Sequence, residues 1–384
     1  MSLPPAPATP TGPRTALPPG VVTLADHEAH ASTHLDSGAW AYFSGGAADE
    51  ITLAANRSAW EAITLLPRVL RPLAGGHTRV QLLGRTLACP ILLAPVAYQR
   101  MAHADGEMGA AHAAAALGAG LVLSTQASTR LEAVAHAIRD DAGRGPLWFQ
   151  LYLQHDRDFT RELVERAERA GYEALVLTVD APCHGARDRE RRAGFRLPPG
   201  ITAANLLGML PAPQALLAPG QSALFDELLH HAPTWADVQW LQSITRLPVL
   251  LKGVLHPDDA RQAAELGVAG IIVSNHGGRT LDTTPATATM LPRVVEAGRA
   301  VDSTLPVLVD GGIRRGTDVL KALALGASAV LIGRPAVYGL ANAGAAGVAH
   351  VLRLLRDELE IAMALTGCAT LADATPALLL QPSR

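Results

Sequence analysis

Cysteine is scarce in this chain. Cys89, Cys183 and Cys368 lie far apart and form no CxxC pair, which excludes a disulfide framework and a thiolate metal site, so that no bound metal is expected. A reducing compartment, the cytoplasm, is the expected location. No apolar run approaches the roughly 20 residues that a membrane helix requires. There is no excess of positive charge: Lys and Arg number 32 against 35 Asp and Glu, a net charge of −3. That balance argues against a nucleic-acid or anionic-membrane partner. Residues 1–20 hold a single charged side chain, Arg14, among prolines and alanines. They lack the apolar core of a signal peptide and read as a disordered leader.

What the chain does have is a rhythm. Of its 384 residues 49% are hydrophobic, enough for a large core. Short apolar runs recur at Ile91–Ala94, Leu121–Leu123, Leu147–Leu151, Ala174–Leu177, Val249–Leu251, Gly270–Val273, Val307–Val309 and Ala329–Ile332. The gaps between them hold amphipathic helical patterns such as 105–117, 161–170, 257–266 and 317–325, with Gly118, Gly171, Gly267 and Gly326 just past the ends, where a helix stop is expected. Eight strand–helix units predict an α/β fold of the (β/α)8 barrel type. One N-terminal helix is predicted from Thr23 to Trp40, ending at the turn 41–46, and a last helix over 344–366. The fourth gap is much the longest. Its start is charged and its middle rich in proline, which predicts a lid inserted over 181–232. The domain reading is then one barrel domain over 21–371 and a tail over 372–384.

In such a barrel, chemistry collects where strands finish. The eight runs lead to Pro95-Val96-Ala97, to Ser124 with Gln126, to Gln150 and Tyr152, to Thr178 and Asp180, to Lys252, to Ser274 and His276, to Asp310-Gly311-Gly312-Ile313-Arg314, and to Gly333-Arg334. The last two sets follow strands seven and eight, where barrels bind phosphate through backbone N–H groups and a helix N-terminus. Arg314 and Arg334 could add guanidinium contacts. Ser124, Gln150 and Thr178 have the mixed donor and acceptor character that the edge of a flavin ring demands. A buried Lys252 needs an anion. Reduced flavin would supply one, an attraction of about 4 kcal/mol at ~4 Å and an effective dielectric near 20; a barrel carboxylate is the structural alternative. The stretch Gly270–Arg279, in turn, delivers an imidazole and a guanidinium to the end of a buried strand.

With these residues assembled, the chain resembles the FMN-dependent α-hydroxy acid oxidases and dehydrogenases, from about Thr23 to Leu371. Ser274-Asn275-His276-Gly277-Gly278-Arg279 and Asp310-Gly311-Gly312-Ile313-Arg314-Arg315-Gly316 carry the likeness, with Leu247–Gly253 and Thr178-Val179-Asp180 adding to it. The resemblance implies FMN as cofactor and oxidation of a small (S)-2-hydroxy acid to the 2-oxo acid. His276 would be the base, Asp180 its orienting partner, and Tyr152 would face the substrate hydroxyl. Arg279, Tyr42 and a lid arginine, Arg187, would bind the carboxylate. Pro95, Val96, Ala97, Ser124, Gln150, Thr178, Lys252, Ser274, Asp310, Gly311, Gly312, Arg314, Gly333 and Arg334 would fall at the cofactor. A homo-tetramer or octamer is implied by the resemblance alone.

The chain also departs from the family's pattern. Gln126 stands where plant glycolate oxidases carry Trp, and Ala186 where many relatives have a second arginine, so the substrate pocket is not expected to copy theirs. Pro95–Arg100 is more similar to bacterial hydroxymandelate-type oxidases. Ala97, where mandelate dehydrogenases tend to have Gly, favours O2 as acceptor, with H2O2 as product. The alternatives are a dehydrogenase using a quinone or other acceptor, and a flavin-barrel isomerase without net redox.

Overall fold

The computed structural model describes residues 15–212, 217–218 and 220–380. Most of the expected leader, and residues 381–384 of the expected tail, lie outside the described residues. A short hairpin comes first, β1 (Val80–Leu82) and β2 (Arg85–Leu87). The eight apolar runs then form β3 (Ile91–Leu93), β4 (Gly120–Ser124), β5 (Leu147–Leu151), β6 (Ala174–Thr178), β7 (Val249–Val254), β8 (Gly270–Val273), β9 (Val307–Val309) and β10 (Ala329–Ile332). All are parallel and close into a barrel in the order β10-β3-β4-β5-β6-β7-β8-β9.

Strand side chains alternate between the two faces, and here both faces are buried. Ile91, Leu121, Phe149, Leu175, Leu251, Ile271, Val307 and Val330 pack outward against the helices. Leu92, Val122, Trp148, Val176, Leu250, Ile272, Leu308 and Leu331 fill the interior. Leu82 and Leu87 of the hairpin join that interior cluster, so the hairpin closes the N-terminal end of the barrel. Two residues beyond each inward side chain, on the same face, come Ala94, Ser124, Gln150, Thr178, Lys252, Ser274, Asp310 and Gly333. The alternation that fills the core therefore also sets the layer of side chains at the open mouth.

The helices are α1 (Leu24–Ser32), α2 (Ser37–Ser44), α3 (Ile51–Ala62), α4 (Gly106–Ala116), α5 (Leu131–Ala137), α6 (Arg157–Ala170), α7 (Asp188–Arg192), α8 (Trp235–Ile244), α9 (Pro257–Glu265), α10 (Thr287–Arg299), α11 (Gly316–Ala324) and α12 (Arg334–Thr366). The single N-terminal helix expected over Thr23–Trp40 is two. The Thr33 hydroxyl bonds the His30 carbonyl at 2.7 Å, and Asp36 accepts from Ala39 N at 2.8 Å, a new N-cap that restarts the chain as α2. The last helix starts earlier than expected. It follows β10 directly, and its backbone breaks at Ala343 and Gly344, where the 344–366 pattern begins. Within 181–232 the described residues are mostly coil around α7 and two short 3-10 turns. Residues 371–380 pack back on the barrel: Leu378 and Leu379 are buried and Leu379 pairs with Leu65. Among the described residues, no helix is long and apolar enough to cross a membrane.

Candidate active site

The mouth of the barrel opens into a cavity of about 1250 Å³. Apart from Asp180 and Ser274, every site residue expected from the sequence lines it, and those two stand behind His276 and Lys252.

β8 ends in a turn where His276, Gly277 and Gly278 all have positive φ, at 56°, 64° and 73°. Such a conformation is uncommon for a residue with a Cβ, and its persistence points to a site. The turn is held on two sides. His276 N donates to Ser274 Oγ at 3.0 Å, and the Gly278 carbonyl accepts from Ala47 N at 2.7 Å. It aims the imidazole at β6, where Nδ1 lies 2.8 Å from Asp180 Oδ1. Burial raises the Asp180 carboxyl, but the charge and hydrogen bond of His276, with Lys252 beyond, hold it below its ordinary value. An ionised carboxylate only accepts, so it fixes the proton on Nδ1 and leaves the Nε2 lone pair facing the cavity. There Nε2 meets the Tyr152 hydroxyl at 3.4 Å. Burial raises the Tyr152 phenol, with Asp180 adding to the effect, so Tyr152 remains a proton donor at neutral pH.

Gly253 makes the approach of Asp180 possible. It has φ +111°, and a Cβ on it would lie 2.4 Å from Asp180 Cβ. Only glycine admits that contact.

A second group forms around Arg279, three residues beyond His276. Arg279 Nη1 donates to the carbonyls of Tyr42 and, at 2.9 Å, Gly45, and its guanidinium lies 4.9 Å from the centre of the Tyr42 ring. Phe195, from the insertion, stacks on Tyr42 at 5.0 Å. Arg187 opens α7, and its Nε is buried without an acceptor. Glu190, which the sequence did not single out, accepts from both Arg187 and Arg279. Its i+3 spacing from Arg187 was the available signal, hidden inside a charge run.

Below these groups lies the layer at the strand ends. Gln150 is held by Thr125 N at 3.1 Å and Ser124 Oγ at 3.3 Å, both donating to its Oε1, and its Nε2 donates to Thr178 Oγ1 at 3.1 Å. The buried Lys252 Nζ donates to Ser274 Oγ at 2.9 Å and lies 3.1 Å from Asp310 Oδ2. The anion that this lysine requires is thus already present as a barrel carboxylate. Burial lowers the lysine, but Asp310 and then Asp180 outweigh it and the ammonium is held above its ordinary value. Asp310 Oδ1 is buried with no partner.

At the β9 and β10 ends the picture is mixed. A Cβ on Gly312 would lie 2.2 Å from the Asn56 carbonyl, so that glycine serves close packing against α3. A Cβ on Gly333, at the start of α12, would meet nothing nearer than 3.8 Å, which leaves backbone open to a ligand. The Arg334 guanidinium donates to the carbonyls of Phe43, Gly277 and Gly45 at 3.0, 2.9 and 2.7 Å. Burial, followed by repulsion from Arg279, pulls it down to about 10. An anion nearby would relieve that cost. Arg314 reaches toward Glu28 at 3.8 Å.

These residues fit flavin mononucleotide. The unpartnered Asp310 Oδ1 suits a ligand hydroxyl, the open backbone at Gly333 and the buried Arg334 suit a phosphate, and the Ser124–Gln150–Thr178 edge suits a ring with both donors and acceptors.

Fold and site together define a (β/α)8 barrel with a His–Asp pair and a polar, cation-lined cavity at its mouth. The model of a family described as FMN-dependent dehydrogenase matches residues 31–381, and the chain belongs to that family. It is 50% identical to an L-lactate oxidase of Alicycliphilus denitrificans, over 94% of this chain and 97% of the relative. It is 47% identical to glycolate oxidase 1 of Zea mays, over 92% and 94%. A solved structure of mandelate oxidase with benzoyl-formic acid is similar with a TM-score of 0.82 at 44% identity, covering 94% of this chain and 98% of that one.

Proposed function

We propose that the chain oxidises a small (S)-2-hydroxy monocarboxylic acid to its 2-oxo acid, with O2 as acceptor and H2O2 as by-product. The carrying observation is the His276–Asp180 pair, with the His276 Nε2 lone pair facing a cavity also lined by Arg187, Arg279 and Tyr42. Relatives that are L-lactate, glycolate and mandelate oxidases support the same substrate class.

The net reaction removes two electrons and two protons from the hydroxy acid. Bound FMN would supply the two-electron acceptor that O2 reoxidises. The protein's part is to place and to deprotonate. Arg279, the buried Nε of Arg187 and the Tyr42 hydroxyl hold the carboxylate, which orients the hydroxyl-bearing carbon toward His276 and Tyr152. His276 Nε2 accepts a substrate proton, and Asp180 stabilises the imidazolium that results, a contribution of about 10²–10⁴-fold. Pro95, Val96, Ala97, Ser124, Gln150, Thr178, Lys252, Ser274, Asp310, Gly311, Gly312, Gly333, Arg314 and Arg334 would hold FMN, and Gln126 would border the substrate side chain. The functional unit is one domain over 21–371 with a lid over 181–232, working as a cytoplasmic homo-oligomer.

A panel of glycolate, (S)-lactate and (S)-mandelate, assayed for peroxide and for anaerobic flavin bleaching, tests this reading. Bleaching by at least one acid, with peroxide equal to 2-oxo acid in air, is expected. Bleaching without peroxide would point to another electron acceptor, and no bleaching would contradict hydroxy-acid oxidation.

A further inference from the structure

Glu190 lies between the two guanidiniums assigned to the substrate carboxylate. Its Oε1 is 3.1 Å from Arg279 Nη2 and 3.3 Å from Arg187 Nη1, with all three side chains at least four-fifths buried. Glu190 is also held in place by its surroundings. Arg189 beside it is paired with Glu50 and donates to Ser44 Oγ at 3.1 Å, which ties α7 to the α2 end. The Glu190 carbonyl accepts from Phe195 N at 3.0 Å, and Phe195 stacks on Tyr42.

Two consequences follow for the pocket. Arg279 cannot offer its whole outer edge to a ligand, because Nη1 is committed to two carbonyls and Nη2 shares a hydrogen with Glu190. The charge of the group is also set: two guanidiniums and one carboxylate leave a net +1. A ligand with one carboxylate neutralises it, whereas a second carboxylate on the ligand would face Glu190 in a poorly screened site.

We propose that Glu190 is a positioning and specificity residue: it holds Arg187 and Arg279 in register for one carboxylate and disfavours 2-hydroxy dicarboxylic acids. This rests on the reading of those two arginines as the carboxylate site. A like charge placed against the ligand is a common way to reject a wrong partner.

The test uses the FMN-loaded enzyme, with propionate and malonate as competitive inhibitors and (S)-lactate as substrate. In Glu190→Gln the ratio of malonate to propionate affinity is expected to rise about tenfold, the effect of removing one close, partly screened negative charge. Glu190→Asp keeps the charge but shortens the reach; it should leave that ratio unchanged and raise the KM for lactate severalfold while kcat changes less. A merely structural role would lower stability without moving the ratio. An unchanged ratio in Glu190→Gln, with Arg279→Lys still raising the KM for lactate, would overturn the proposal alone. If Arg279→Lys left that KM unchanged, the underlying carboxylate site would be wrong. Should Glu190→Gln not fold, Glu190→Asp decides: a raised KM supports the positioning role and an unchanged KM overturns it.

Discussion

Asp180 Oδ1 and His276 Nδ1 stand 2.8 Å apart although 96 residues separate them, one following β6 and the other β8. This contact decides which ring nitrogen carries the proton and so which one can act as base. Replacing Asp180 by Asn keeps the shape and removes the charge. The account predicts that kcat/KM falls by about 10²–10⁴-fold while FMN remains bound, since the imidazolium loses its counter-charge. Steady-state kinetics on flavin-loaded protein checks this.

Gly253 tests the same contact from the backbone side. Its Cβ position is filled by Asp180 and its φ of +111° disfavours any side chain. Gly253→Ala should therefore lower both stability and turnover, by about 1–3 kcal/mol in the first case. The combined loss can be read from urea unfolding and activity on one preparation. Ala tolerated with full activity would mean that this close approach does not matter.

Lys252 and Asp310 form a buried ion pair. Removing the ammonium alone, as in Lys252→Met, leaves an uncompensated carboxylate and should cost about 3–5 kcal/mol. Lys252→Met with Asp310→Asn should recover part of that loss. The pH dependence has a definite sign. The folded lysine lies above its ordinary value, so its stabilisation is complete below the unfolded value near 10.5 and is lost as pH rises through the higher folded one. Denaturant midpoints of wild type should fall in that alkaline range, and Lys252→Met should lack this component.

His27 gives an acid-side counterpart far from the mouth. Its Nε2 lies 3.0 Å from His350 Nδ1, and Asn342 Nδ2 donates to the His27 carbonyl at 2.9 Å. Burial, then the neighbouring His350, pushes its pKa down to about 4. Between the unfolded value near 6.5 and about 4, the unfolded chain takes up a proton that the folded chain refuses, so stability falls as pH drops through that window. His27→Gln should flatten the slope of urea midpoint against pH between 4 and 6.5. An unchanged slope would show that another group sets it.

Much of this was legible in the sequence. All eight strands appear as apolar runs because each is buried on both faces, and the layer that forms the site follows from counting two residues on from each inward side chain. The partners were harder to see. That Lys252 meets Asp310 depends on the strand order, which sets β7 and β9 on either side of β8. Glu190 sits in a run of charges, a pattern that usually marks a solvated face, and only the fold of α7 turns it inward. That Arg334 also donates to carbonyls of the 276–278 turn and the α2 end could not be seen, because those segments meet it only in the fold. The split between α1 and α2 was missed because the helical spacing runs through Thr33–Asp36 unbroken, and only the Asp36 cap resets it.

The most direct test of the central claim is anaerobic stopped-flow mixing of FMN-loaded His276→Ala with the preferred 2-hydroxy acid, following the flavin absorbance. The account predicts a protein that stays yellow and binds the acid, with bleaching slowed by about 10²–10⁴-fold or more relative to wild type. Bleaching at the wild-type rate would contradict the assignment of His276 as the base.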